Sequence, residues 1–420
     1  LLYSLVLGLF IYKFSIKGRG VELNFFLFFT LGYAYYSIFP IVFFFYLENF
    51  TGVEFDIIKS NLIGVSESGI LVYAAISLVL YVAFATGYSI PKRKLFGKPI
   101  LTGASKNISL MFLLLATTLA VLTALPISGD FFKGYSEDVF VGYEDGVLAG
   151  AGQRGTFVAA VNVLFVSFLF HVSRQYLTCQ NGSALGYYFK SKFFIIYFIF
   201  AVLMLSLGGR LYFVSHMIAL LVMANVQHPY TITRLTLVSV FLGLAVAAGF
   251  YGVFRAGGEL NFVGILVNLV QEPLYTSISL FTYLGENNIK ALAAPILLLS
   301  DFTNLLPTFF WPDKAQYILK PEQLGYSIKM PLGGLHFFVS ICINFGYLGS
   351  IIIMFVAGCA VSTINGKSNR HAYGLVISLL SAWSSFSLFR DPFSVSIVKN
   401  IFQYSLLLIF AMATINKLKL

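Results

Sequence analysis

The chain has 420 residues, of which 58% are hydrophobic and only 10% are charged, and its formal net charge is +10. A soluble fold is excluded. About a quarter of the residues in globular proteins are charged, and the charged residues of this chain are too few to cover a water-facing surface. Intrinsic disorder is excluded as well, since a mean hydropathy of +0.86 is the opposite of the disordered signature. The composition indicates a polytopic membrane protein.

The amino-terminal residues and the cysteines suggest neither export processing nor disulfides. Residues 1–12 are apolar and Lys13 ends that stretch, but no basic region precedes it, so a cleaved signal peptide is not expected. Cys179, Cys342 and Cys359 lie in or beside apolar stretches, and their odd number does not suggest a disulfide framework.

Apolar stretches that are long enough to cross a bilayer recur along the chain. A helical span needs about 20 such residues for ~30 Å of hydrocarbon, and the alternating pattern of a membrane barrel is absent. The predicted fold is therefore an all-α membrane protein with about 11 transmembrane helices, in a range of about 10 to 14, forming a single membrane domain over 1–420. The predicted spans are 1–12, 23–47, 67–90, 108–127, 155–172, 193–207, 211–227, 235–254, 337–362, 372–389 and 400–416.

Basic residues divide unequally between the two sides that these spans define. One side carries 16 Lys and Arg residues with one acid, Glu22, and the other carries 11 basic residues with 16 acids. Because basic loops stay in the cytoplasm, the first side is predicted to be cytoplasmic. The net positive charge is thus a topology signal, and a nucleic-acid partner is not expected.

One connection on the outer side is much longer than the rest. It runs over 255–336, is punctuated by glycine and proline, and is too apolar for disorder. Residues 261–284 and 291–311 within it have a helical pattern, which fits either interfacial helices or a shallow re-entrant hairpin.

Cationic side chains recur at the predicted outer ends of spans, where insertion rules disfavour them. The arginine fork suits phosphate, and Arg210 would lie at the start of a helix, whose free N–H groups also attract anions. The alternative is local pairing or contact with lipid headgroups. The predicted anion-binding residues are Arg154, Arg210, Arg255, Arg390 and Lys399.

Two residues on the same side are the preferred candidates for proton transfer, His336 first and Glu272 second. Asp301 and Asp313 follow them. Within the spans, His216 is the best interior candidate, and we expect it to form hydrogen bonds between helices rather than to line an ion path.

No cofactor and no metal are expected. The acidic triplet at residues 54–56 is weak evidence for magnesium, and no His/Cys group has zinc spacing. The predicted cytoplasmic loops have about 20 residues or fewer, too few for a nucleotide-binding domain. Any reaction would therefore take place on the outer side, on a substrate that is already activated.

Several short motifs resemble the bacterial Wzy-type O-antigen and capsule polymerases, which are related to the O-antigen ligases. The resemblance extends over about the last 270 residues. Its motifs are Gly208-Gly209-Arg210, Phe254-Arg255, Asn344-Phe345-Gly346 with Gly349, and Arg390 with Lys399.

The resemblance implies a polysaccharide polymerase of the inner membrane, a metal-independent inverting glycosyltransferase of the GT-C type acting at the periplasmic face. Its substrates would be oligosaccharide repeat units on undecaprenyl pyrophosphate, as in lipopolysaccharide biosynthesis, and a chain-length regulator would be a partner. Arg210 and Arg255 would hold pyrophosphate, with Arg154, Arg390 and Lys399 assisting. Related polymerases often have a glutamate before the Asn344 motif. Here that segment is Phe337–Ile343, without an acid, which leaves His336 or Glu272 as the base.

Other functions remain open. An O-antigen ligase, which transfers glycan to the lipid A core, would share the outer arginines and the histidine. A lipid-linked oligosaccharide flippase would show pseudo-symmetry and mid-membrane ionisable groups, which are not evident apart from His216. A structural scaffold would leave the outer arginines unexplained.

Overall fold

A computed structural model shows the chain as a bundle of α-helices. It describes residues 2–17, 20–46, 56, 59–60, 62–63, 67–90, 105–132, 149–178, 191–207, 209–226, 232–255, 261–286, 291–305, 311–330, 335–365, 372–390, 397, 401 and 406–418. The helices are α1 (Leu2–Ser15), α2 (Phe25–Tyr46), α3 (Glu67–Tyr88), α4 (Ser105–Ala124), α5 (Ala149–Thr178), α6 (Lys192–Ser206), α7 (Arg210–Val226), α8 (Arg234–Arg255), α9 (Phe262–Glu286), α10 (Ile296–Asp301), α11 (Phe337–Asn365), α12 (Ala372–Ser387) and α13 (Leu407–Leu418).

A helix overlaps each of the eleven predicted spans. Within the described residues, five helical stretches are long and apolar enough to cross a membrane: Phe25–Tyr46, Glu67–Tyr88, Asn107–Asp130, Arg154–Ser173 and Phe337–Asn365. Four shorter apolar helices are Leu5–Ser15, Lys192–Ser206, Leu211–Met223 and Val376–Ser387. The protein is thus mostly helical, with several helices of membrane-spanning character.

A small three-stranded sheet marks one end of the bundle. Its strands β1 (Ile16–Lys17), β2 (Gly20–Val21) and β3 (Ile232–Thr233) are antiparallel, with β2 in the middle. Nearby, the Asn225 side chain at the end of α7 accepts a hydrogen bond from the Leu23 amide, 2.8 Å away. This is the end that the basic loops predict to be cytoplasmic, and we call the other end the outer end.

Glycines allow the closest helix contact in the bundle, between α3 and α11. A Cβ atom at Gly87 would overlap the carbonyl oxygen of Phe355, and one at Gly358 would overlap that of Phe84. Close backbone approach at small residues is typical of membrane helix pairs, because burial of apolar surface gives no advantage in lipid.

Helix α11 is broken at Gly346, whose φ of 64° and ψ of −174° are not helical. The connection from the outer loop supports the break. The Leu292 amide donates to the Ile343 carbonyl at 2.8 Å, and the Leu298 amide in the first turn of α10 donates to the Asn344 side chain at 3.1 Å. The Asn344-Phe345-Gly346 motif is therefore where the loop docks on the bundle.

The outer connection contains one long helix, α9, and several short ones. The first predicted helical segment, 261–284, matches α9 closely. The second, 291–311, is right in part: within the described residues 291–305, Ile296–Asp301 is α-helical and Phe302–Leu305 forms a 3₁₀ turn, whereas 291–295 are not helical. Pro295 sets the start of α10, and the amide of Leu292 bonds to α11 instead of to its own segment.

Candidate functional site

A buried cluster joins α5, α6, α7 and α12 inside the bundle. The His216 ring of α7 lies between Tyr197 and Asn162, with the Tyr197 hydroxyl 3.1 Å from Nδ1 and the Asn162 Oδ1 2.9 Å from Nε2. Phe165 stacks on the imidazole with ring centres 3.9 Å apart, and the Trp383 ring lies 5.4 Å away. His216 thus bonds between helices, as the sequence predicts.

The hydrogen bonds of His216 define its tautomer. Because Asn162 Oδ1 can only accept, Nε2 carries the proton and donates it, while Nδ1 accepts from the Tyr197 hydroxyl. The Asn162 amide nitrogen is buried and has no hydrogen-bond partner among the described residues. Both ring nitrogens are therefore occupied in a structural network, which does not favour an ion path through His216.

The positions of three predicted arginines along the bundle can be compared by counting residues from this buried cluster. Arg154 lies eight residues before Asn162 on α5, Arg210 lies six before His216 on α7, and Arg390 lies seven after Trp383 beyond α12. At 1.5 Å per helical residue the first two offsets are about 12 and 9 Å, and Arg390 follows α12 in the turn after Ser387. Helix α12 packs against both α5 and α7.

All three offsets point to the outer end. The opposite ends of these helices lie toward the end of the bundle that carries the small sheet, where Ser173 bonds to Met223 and Ser378 bonds to Asn365. Helices α5 and α7 therefore start at the outer end and α12 finishes there. The structure brings the backbones of Arg154, Arg210 and Arg390 to a similar height on three neighbouring helices.

Arg255 belongs to the same end of the bundle. The Tyr251 hydroxyl, one turn before Arg255 on α8, donates to the Leu205 carbonyl at the end of α6 at 2.7 Å. Leu205 lies five residues before Arg210. The backbones of Arg210 and Arg255 therefore lie near the same Tyr251–Leu205 hydrogen bond. The side chains of these two arginines lie outside the described part of the structure.

The turn that delivers Arg210 depends on glycine. The Gly209 amide donates to the Met204 carbonyl at 3.0 Å, and a Cβ at position 209 would lie only 2.7 Å from Met204 Cγ. Gly209 therefore allows α6 and α7 to meet in a tight turn, and Arg210 becomes the first residue of α7. The first N–H groups of a helix are free to bind anions.

Arg154 is paired with Asp130, a residue that the sequence analysis did not single out. Its Nε and Nη2 atoms lie 3.2 and 3.0 Å from the same Asp130 oxygen, Oδ2. Asp130 ends the 3₁₀ turn Leu125–Asp130 that extends α4. At the other end of this α4–α5 hairpin, Ser109 bonds to His171. One signal for this pair was present in the sequence, because Asp130 is an acid that ends an apolar stretch on the side predicted to be outer.

Arg390 is paired with Glu272, so the structure brings together two residues predicted for different roles. The distance from Arg390 Nε to Glu272 Oε1 is 2.5 Å, and the side chains are 38% and 28% exposed. The pair joins the turn after α12 to the middle of α9. The Arg390 guanidinium and the Glu272 carboxylate therefore lie side by side where solvent can reach both.

Glu272 is held by an irregular part of α9. Pro273 follows it and cannot donate to the Leu269 carbonyl, so that carbonyl accepts instead from the Tyr35 hydroxyl at 2.6 Å. Tyr35 lies in Ala34–Ile38, a π-helical turn of α2. Ser277 donates to the Tyr36 carbonyl of the same turn at 2.5 Å. Such π turns are frequent at functional sites.

His336 is fully buried and occupies a structural position. Its backbone amide donates to Ser279, its Nε2 lies 3.1 Å from Ser37 Oγ, and its Nδ1 accepts from the Phe338 amide at 3.2 Å. His336 thereby caps the start of α11 with its side chain. Burial lowers the pKa of the imidazole to about 3. In this arrangement neither ring nitrogen is available to a substrate, which weakens the first choice of base.

Three further candidates came from the sequence, Lys399, Asp301 and Asp313. Lys399 lies outside the described residues, Asp313 is exposed, and Asp301 ends α10. Asp56 pairs with Lys59 at 4.0 Å. Within the described part of the chain, no three His, Cys, Asp or Glu side chains are grouped as metal ligands.

The residues that sequence reasoning missed are those that organise the site. Asn162 and Tyr35 are polar or amphipathic side chains within apolar stretches, where they resemble core residues. Their partners are distant in sequence, so no local spacing reveals them.

Comparison of the chain with protein-family models, with curated proteins and with solved structures gave no match.

Proposed function

We propose that this chain is a polysaccharide polymerase that joins oligosaccharide repeat units carried on a polyprenyl pyrophosphate at the outer face of the membrane. The observation that carries the proposal is the similar height of Arg154, Arg210 and Arg390 on three neighbouring helices, with Arg255 at the same end. Insertion rules disfavour such a gathering of cations at an outer membrane surface. Asp130 and Glu272 pair with two of these arginines, and a bound anion would balance the charge of the others.

Diphosphate is the anion that best fits these groups. The arginine fork matches phosphate oxygens, and the free amides at the start of α7 would add uncharged donors. A diphosphate diester on a lipid would have its chain among the apolar helices and its sugar toward the outer connection 255–336.

The reaction that we propose is an inverting glycosyl transfer. A hydroxyl oxygen of the acceptor sugar attacks the anomeric carbon of the donor glycan and forms the new glycosidic bond. The bond from that carbon to the phosphate oxygen breaks, and the diphosphate leaves with the electron pair. The arginines stabilise the charge that develops on the departing oxygens.

Glu272 is the proposed base that accepts the proton of the attacking hydroxyl. It is partly exposed and lies beside Arg390, so a base and an anion-binding group would share one substrate. His336 was the first choice from the sequence, but its burial and its contacts with Ser37 and Phe338 favour a structural role. Glu272 therefore replaces it in the proposal.

The proposed topology follows the distribution of basic residues. Eleven helices would cross the inner membrane, in the manner of GT-C enzymes, with the arginine end at the periplasm. No nucleotide or metal is part of the proposed reaction. A separate chain-length regulator would be a partner.

Reconstitution of the purified protein with a synthetic undecaprenyl-pyrophosphate repeat unit tests the proposal. We expect a ladder of products that differ by whole repeats, on the lipid carrier. Transfer of preformed glycan to lipid A core without lengthening would instead identify a ligase. Movement of the substrate across the membrane without new glycosidic bonds would identify a flippase, and either result would refute the polymerase.

A further inference from the structure

Two of the arginines proposed to bind diphosphate already hold a carboxylate. Asp130 lies against Arg154 at 3.0 Å, and Glu272 lies against Arg390 at 2.5 Å. The Arg154–Asp130 pair closes the α4–α5 hairpin, and the Arg390–Glu272 pair joins the turn after α12 to α9. An incoming diphosphate would therefore meet guanidinium groups that are already neutralised, and it would have to compete with these acids.

The geometry of the Arg154 pair leaves room for a better ligand. Both contacting atoms of Arg154, Nε and Nη2, share the single oxygen Oδ2 of Asp130. The strongest arrangement of arginine with an oxyanion uses two parallel bonds to two oxygens. A diphosphate can offer two oxygens to the same edge of the guanidinium, and Asp130 in its present position does not.

Both pairs are also accessible to solvent. Arg154 and Asp130 are 28% and 33% exposed, and Arg390 and Glu272 are 38% and 28% exposed. Ion pairs at this degree of exposure contribute little, because water and salt screen them. Their opening would cost a factor of about five at most in an equilibrium constant, or ~1 kcal/mol.

We propose that diphosphate binds by ion exchange, displacing Asp130 from Arg154 and Glu272 from Arg390. The Asp130 carboxylate then competes with incoming anions for Arg154 and so determines the affinity of the site. Anions that bind weakly would occupy the site less. No covalent bond forms or breaks in this step. The inference rests on the proposed function, since it concerns the same arginines.

The exchange gives Glu272 a substrate-dependent role. While Arg390 holds its carboxylate, Oε1 is engaged by the guanidinium. When Arg390 turns to the diphosphate, the carboxylate becomes free to accept the proton of an acceptor hydroxyl. The base would thus be released only in the presence of the lipid-linked donor.

Calorimetric titration of the full-length protein in nanodiscs tests the exchange. The probes are inorganic pyrophosphate, farnesyl diphosphate and inorganic phosphate, which separate the diphosphate group from the lipid and from a single phosphate. We expect Asp130→Asn to tighten binding of both diphosphates about two- to five-fold. Asp130→Glu, which restores a carboxylate, should bind like the wild type.

Asp56→Asn is the matched control, because it removes an acid that pairs with Lys59 rather than with an arginine of this site. It should leave both affinities unchanged. Because Asp130 also closes the α4–α5 hairpin, the melting temperature of each variant is measured beside its affinity. If Asp130→Asn does not fold, Asp130→Ser removes the same carboxylate and should tighten binding of both diphosphates in the same way.

The outcomes separate this inference from the proposed function. Unchanged or weaker diphosphate binding in folded Asp130→Asn would overturn the exchange and make Asp130 a support for Arg154. If Arg154→Ala and the wild type bind both diphosphates equally, the arginine site itself fails, and the proposed function fails with it. Weaker binding in Arg154→Ala with no effect of Asp130→Asn removes the exchange alone.

Discussion

Asn162 and His216 face each other between α5 and α7, with 2.9 Å from Asn162 Oδ1 to His216 Nε2. This hydrogen bond fixes the register of the two helices that carry Arg154 and Arg210. Because both arginines lie toward the same helix ends, the register also fixes their relative height. A buried polar contact thus governs the geometry of a site that begins about 9 to 12 Å away.

Loss of this contact should destabilise the protein. Asn162→Ala leaves His216 Nε2 buried with its proton unpaired, and such a group typically costs about 1 to 3 kcal/mol. We expect a lower melting temperature in detergent. Ser167→Ala is the control on the same helix, because the Ser167 hydroxyl is buried without a hydrogen-bond partner in the described part of the chain, and its loss should cost less than about 0.5 kcal/mol. Equal melting temperatures for the two variants would contradict the role of the contact.

The arginines at the outer end should be required for long-chain glycan. Arg210→Ala and Arg255→Ala each remove one group that would stabilise the leaving diphosphate, a loss that typically lowers the rate about 100- to 1000-fold. The measurement is the chain-length ladder in cells, with membrane insertion checked by immunoblot. Lys59→Ala removes an outer cation that pairs with Asp56 and should leave the ladder intact. Normal ladders in both arginine variants would refute the assignment.

Glu272 and His336 should respond differently to substitution. Glu272→Gln removes the proposed base but keeps the side-chain shape, so turnover should fall about 100- to 10,000-fold with little change in stability. His336→Asn retains a side chain that can cap α11, and turnover per folded molecule should stay within about three-fold of the wild type. The measurement is repeat-unit addition in proteoliposomes. The reverse pattern would return the base role to His336.

Acid should destabilise the protein partly through His336. The unfolded chain binds a proton there below pH 6.5, whereas burial lowers the pKa in the folded state to about 3. Stability is therefore fully present above pH 6.5 and falls as the pH drops toward 3, by up to ~1.4 kcal/mol per pH unit for one proton. Melting temperatures between pH 7 and pH 4 should fall less steeply in His336→Asn than in the wild type. Parallel curves would show that His336 gains a proton without cost.

Activity of the purified protein should not depend on divalent cations. In the proposed reaction, guanidinium groups perform the charge stabilisation that a metal provides in other transferases. We expect EDTA to leave the rate of repeat-unit addition unchanged. A loss of activity that magnesium or manganese restores would require metal ligands in the site.

Much of the helical architecture could be predicted because it depends on local composition. Within the described residues a helix overlaps each of the eleven apolar stretches, since a long apolar segment satisfies its own backbone hydrogen bonds. The helical pattern predicted over 291–311 was only partly right, because within the described residues 291–305 the helix starts at Ile296 and passes into a 3₁₀ turn at Phe302. The Leu292 amide and the Asn344 side chain make contacts there that are distant in sequence, so no local pattern could indicate them.

The sequence by itself determined the helical membrane character, the segregation of basic residues and the presence of cations at outer helix ends, because each depends on the solvent that a segment faces. Only the tertiary structure decided which groups meet. It paired Arg390 with Glu272 and Arg154 with Asp130, and it buried His336 against Ser37. Those outcomes depend on helix register and direction, which are set by contacts between residues far apart in the chain.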